Sequence, residues 1–159
     1  MSVADVPNYA LVVATYYVLF RRRDLNLAED LLEVLKSRSL CRQEEYAVDV
    51  LKAAYKAVKT CNVQPLCKTF AAGWSALLKE LIMLHFAYDA EAAKRLKCRA
   101  AKMFKRYVYS SGAEQRVVYM PDPLLYFIFH AADRVEPLPT CQQQTVNKAS
   151  KPDSFSSTG

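Results

Sequence analysis

Residues 94–106 (KRLKCRAAKMFKR) carry seven basic side chains and no acid. The chain holds 22 lysines and arginines, so 15 are left elsewhere against 16 acidic residues, and the whole net charge of +6 resides in this one segment. At 100° per residue the segment divides into two faces. Ala93, Leu96, Ala100, Met103, Phe104 and Tyr107 fall on one side; Lys94, Arg95, Lys97, Arg99, Lys102, Lys105 and Arg106 fall on the other. Like charges meet at helical spacing, as in Arg95/Arg99 and Lys102/Arg106. Each such pair costs roughly 0.2–0.5 kcal/mol, a cost that interspersed glutamates would remove.

The chemistry such a stripe supplies is anion recognition. Lysine and arginine neutralise phosphates of nucleic acid, and Tyr107 and Tyr109 are aromatic side chains available to stack on bases. Two other outcomes use the same charges. The stripe could meet an acidic protein or an anionic lipid surface. Alternatively, the acids of the second and third helices (Glu29, Asp30, Glu33, Glu44, Glu45 and Asp49) neutralise it within the fold. Cys98 lies inside the basic arc, between Lys94 and Lys102, where positive neighbours favour a thiolate.

Other reactive residues lack a setting. Cys61 and Cys67 are separated by five residues, not the two to four of a zinc knuckle, and no second pair follows, so no metal site is expected. His85 falls on an apolar face with Leu78 and Leu81, the position of a core histidine. His130 and Asp133 are a helical turn apart, but no serine or cysteine nucleophile has a recognisable setting beside them. Glycine-rich phosphate loops are absent. The expectation is a non-enzymatic protein with no cofactor.

The elements that must carry the stripe follow from the rest of the 159 residues. A 52% hydrophobic composition supports a real core, and only three glycines argue against a hairpin-rich sheet. The pattern predicts an all-α, single-domain bundle of five or six helices over residues 1–136, followed by a disordered tail over 137–159. Tyr9 to Phe20 is apolar except for Thr15, with Pro7 before it and Arg21–Arg23 after. Its twelve residues fall short of the roughly 20 a membrane span requires, so it is expected to be a buried helix and a membrane is not an expected partner. Asn26 and Glu29 form a capping-box pattern for a second helix ending near Arg38. Ser39 is a candidate cap for a third, with Tyr46, Val50, Leu51, Ala54, Tyr55 and Val58 at spacings of three and four.

A fourth helix is expected from near Pro65 to Tyr88, apolar around most of its circumference and therefore central. Asp89 should cap the fifth, basic helix, with Gly112 stopping it after about Tyr109. Val117 to Met120 is ambiguous, and Asp122-Pro123 opens a sixth helix through Leu124, Leu125, Phe127, Ile128 and Ala131. Five cysteines with no paired framework, and no cleavable leader pattern, point to free thiols and a cytoplasmic or nuclear setting.

Ala71-Ala72-Gly73-Trp74-Ser75-Ala76-Leu77-Leu78 opens the most hydrophobic helix. In place and character it resembles the Trp-Gly helix start of the Bcl-2 apoptosis regulators, here with glycine preceding tryptophan. That resemblance implies a helical module binding an amphipathic partner helix in an apolar groove. It stands as the alternative to nucleic-acid binding by the basic helix at 94–106.

Overall fold

The local preferences summed above produce helices throughout, and no other regular element occurs among the described residues. The structure, a computed structural model, describes residues 5–114 and 122–138, the side chains of 104–114 and of 122 excepted. The elements are α1 (Asn8–Tyr17) continuing as a π-helical turn (Val18–Arg22), α2 (Leu25–Lys36), α3 (Arg42–Thr60), α4 (Gln64–Cys67), α5 (Trp74–Leu84), α6 (Ala90–Glu114) and α7 (Asp122–Ala131). The chain is thus an all-α bundle around a hydrophobic central helix. That helix is α5, which packs against α3, α6 and α7 and buries Trp74, Leu77, Leu78, Leu81, Ile82 and Leu84.

Each boundary has a local cause. Asp24, not Asn26, caps α2: its carboxylate accepts from the Leu27 N–H at 3.1 Å. Arg23 just before it takes a left-handed conformation (φ 55°) that ends the π turn. The Cys41 N–H donates to the Glu44 carboxylate at 3.0 Å, so α3 starts there rather than at Ser39. Gly112 does not stop α6, which runs on to Glu114. Glycine costs a helix interior about 1 kcal/mol, a penalty one residue in 25 can bear.

The single helix expected from Pro65 to Tyr88 is in fact two. The chain breaks between α4 and α5, and Gly73 sits there at φ 61°, ψ −138°, a conformation suited to glycine. The break leaves Phe70 65% exposed, against the tyrosine ring of Tyr46 at 5.1 Å, instead of in the core. Ser75 ties the turn, accepting from the Ala72 N–H at 3.0 Å and donating to the Ala72 carbonyl at 2.6 Å. A Cβ on Gly73 would meet the Gln43 amide at 2.6 Å. Gly73→Ala should therefore lower the unfolding free energy by about 1–3 kcal/mol, mostly through backbone strain. Adding Gln43→Ala should relieve the contact and recover only a minor part in urea melts. Full recovery would locate the cost in the contact and not in the backbone.

The body also extends past 136. Leu138 is buried, and its N–H donates to the His85 carbonyl at 3.0 Å. The remainder of the expected tail and Val117–Met120 lie outside the described residues. Cys41, Cys67 and Cys98 are free, but Cys61, at the left-handed C-cap of α3, is disulfide-bonded, so the expectation of free thiols fails there. Among the described residues no helix is long and apolar enough to cross a membrane.

Candidate nucleic-acid interface

The basic helix is positioned by its small residues. Asp89 opens α6 by accepting the Glu91 N–H at 3.0 Å, and Ala93, Leu96 and Ala100 are buried where α6 packs on α5 and α7. With that face committed to the core, the opposite one points to solvent. Lys94, Arg95, Cys98, Arg99 and Lys102 are all exposed. Glu91, also exposed, is an acid at the N-terminal end, where it suits the helix dipole.

Among the described residues two of the cations are paired, and both stand at the edges of the stripe. Arg99 Nη1 binds the Glu80 carboxylate of α5. Lys97 Nζ lies 2.6 Å from Asp133 Oδ2, just past α7, and 4.8 Å from the centroid of the Phe129 ring. Lys97 and Arg99 thus pin the two flanks of α6 to its neighbours. The counter-charges of Lys97 and Arg99 are Asp133 and Glu80, not the acids of α2 and α3 that stood as one of the three readings of the stripe. Such surface pairs contribute little to stability, on the order of 0–1 kcal/mol each. Lys94, Arg95 and Lys102, between the flanks, make no ion pair among the described residues. Lys105, Arg106, Tyr107 and Tyr109 belong to α6, but their side chains lie outside the described residues.

Sequence inspection missed the aromatic neighbours of this stripe. Leu124, Leu125, Ile128 and Ala131 turn inward from α7, which leaves Tyr126 66% exposed and His130 exposed on the opposite side. Their rings meet edge to face at 4.4 Å, and Phe129 adjoins His130 at 5.3 Å. The signal was present: Tyr126 and His130 are four apart, off the apolar period.

The most perturbed groups are elsewhere, and buried. Tyr16 and His85 are 2.6 Å apart (Oη to Nε2), and His85 Nδ1 is 2.8 Å from the Glu136 carbonyl. A carbonyl only accepts, so Nδ1 carries the proton and Nε2 accepts from the tyrosine. Burial lowers the His85 pKa to about 4, and burial together with Tyr17 raises that of Tyr16. His85 also stacks on Phe20 at 4.3 Å and is 1% exposed. With both ring nitrogens engaged and both rings buried, this pair fastens the 135–138 segment to the end of α5. Among the described residues no cluster of three or more histidine, cysteine or acidic side chains is arranged to hold a metal.

No protein-family model, curated protein or solved structure matches this chain.

Proposed function

We propose that the protein binds nucleic acid, without catalysis and with little sequence preference, through the exposed face of α6. The observation that supports this most is the line Lys94, Arg95 and Lys102, open to solvent and free of acidic partners among the described residues. A helix presenting such a row engages phosphates by neutralisation and counterion release, which reads charge and not sequence. Three to five contacts would give a log–log salt slope of about −2 to −3.5 on single strands.

The structure selects the variant that tests this. Lys97 and Arg99 hold α6 to its neighbours, so they should stay, whereas Lys94→Glu, Arg95→Glu and Lys102→Glu together reverse only the open charges. Glutamate is a good helix former, so the melting temperature should hold while binding at low salt is lost. A triple variant that binds as well as wild type, or a wild type that binds neither RNA nor DNA at low salt, overturns the proposal.

A second reading rests on a groove of about 450 Å³ between α5 and α6, lined by Ala76, Met83, Leu84, Ala87, Ala92 and Leu96. An amphipathic partner helix could lay apolar anchors there. Its two charged rim residues are already engaged, Lys79 with the Thr69 carbonyl at 2.7 Å and Glu80 with Arg99. They offer a partner little orientation, so the open cations favour nucleic acid. Capture of an amphipathic peptide that Met83→Arg abolishes would favour the groove instead.

A further inference from the structure

We infer that the ligand is a single strand whose bases stack on Tyr126, an inference that rests on the nucleic-acid reading of α6. Tyr126 and His130 form an exposed aromatic edge on α7, with cations on both sides. On one side Lys97 bridges the two helices, with its amine over Phe129 and on Asp133. Beyond it lies the open row of α6. On the other side His130 shares a shallow depression with Tyr17, Arg21 and Arg134. Arg21 is held by Glu136 at 2.7 Å, whereas Arg134 has no ion pair among the described residues.

Cations alone do not choose between duplex and single strand. An exposed ring between two cationic edges does. A duplex keeps its bases stacked and shows only their edges in the grooves, so the Tyr126 ring would find no open base face to stack on. A single strand crossing from α6 over α7 can place phosphates on the cations and an unstacked base on the ring. A structural role for Tyr126 is poorly supported, since two thirds of its surface meets solvent and its only ring contact among the described residues is with His130, itself exposed.

The test compares a short labelled oligo-dT with a duplex of the same sequence by fluorescence anisotropy, across a salt series. Wild type should prefer the single strand. Tyr126→Ala should weaken single-strand binding by about 5- to 150-fold, the range of one base–aromatic stack, while leaving duplex affinity and the salt slope unchanged. Tyr126→Trp should retain binding and show its added emission quenched by the oligomer, with buried Trp74 unaffected. Equal affinity for both ligands, with Tyr126→Ala silent but Lys94→Glu/Arg95→Glu/Lys102→Glu still damaging, overturns the stacking inference alone. No binding of either ligand at low salt, or binding only to anionic lipid vesicles, overturns it together with the reading it rests on.

Discussion

Trp74→Ala should cost about 3–5 kcal/mol of unfolding free energy, a fifth or more of the roughly 5–15 kcal/mol of an ordinary domain. Trp74 is fully buried at the first position of α5, in the same cluster as Leu77, Leu78 and Leu81. Its neighbours are fixed by α3, α6 and α7 and cannot close in on the vacated volume without moving whole helices. The indole Nε1–H has no hydrogen-bond partner among the described residues. Trp74→Phe therefore forfeits volume but no hydrogen bond, and should cost clearly less. Chemical denaturation followed by circular dichroism reads both variants without relying on the lost fluorophore. Native wild-type emission should be blue-shifted and resistant to quenchers. Near-equal costs for Ala and Phe would mean that the hydrogen-bonding environment, not packing, decides.

The architecture was largely legible because it depends on short-range patterns. The apolar spacing of Val50, Leu51 and Ala54 placed α3, and the hydrophobicity around Leu77 to Ile82, broken only by Lys79 and Glu80, marked the central helix. Failures occurred where a distant residue decides. Hydrophobicity runs on through Thr69–Gly73, so nothing local reveals that the backbone turns left-handed there, with the Gln43 amide packed against Gly73. The start of α2 is a local choice between two capping side chains, Asp24 and Asn26, which the left-handed Arg23 and the Asp24 bond to the Leu27 N–H decide.

The candidate site divides the same way. The cationic row was visible as composition, since one helical face holds the net charge of the chain. Its counter-charges were not, because Glu80 and Asp133 lie 19 and 36 residues from their partners. The disulfide at Cys61 escaped for a comparable reason: an odd count of cysteines excludes complete pairing but not a single bridge. Tyr126 shows the opposite failure. It was legible by period, yet it acquires meaning only once α7 is known to lie beside α6.

Acidification should destabilise the protein well before ordinary carboxylates dominate, and His85 is the cause. Its folded-state pKa, held at about 4 mainly by burial, lies below the value of about 6.5 for an unfolded histidine. Between these values the unfolded chain binds a proton that the folded chain refuses, so stability rises with pH across the window. The contribution is fully present above about pH 6.5 and is lost as pH falls toward 4. Linkage gives a loss of about 2 kcal/mol by pH 5 and about 3 kcal/mol by pH 4, relative to pH 7. Protonation also strikes at geometry. Nε2 accepts from Tyr16, and an imidazolium there would donate instead, turning the Tyr16 hydroxyl proton away from its partner in a buried site, beside a Phe20 ring stacked at 4.3 Å. The segment carrying Glu136 and Leu138 is hydrogen-bonded to the same residue, so it should loosen first, with earlier exchange of the Leu138 amide. Urea melts at pH 7, 6 and 5 measure the slope, and His85→Phe supplies the comparison. That variant gives up the hydrogen bonds to Tyr16 and Glu136 and so starts less stable at pH 7, but it has no proton to take up. Its stability should be nearly level from pH 7 to 5. If wild type is equally level, the histidine is protonated as readily in the fold as outside it, and the buried neutral pairing with Tyr16 is wrong.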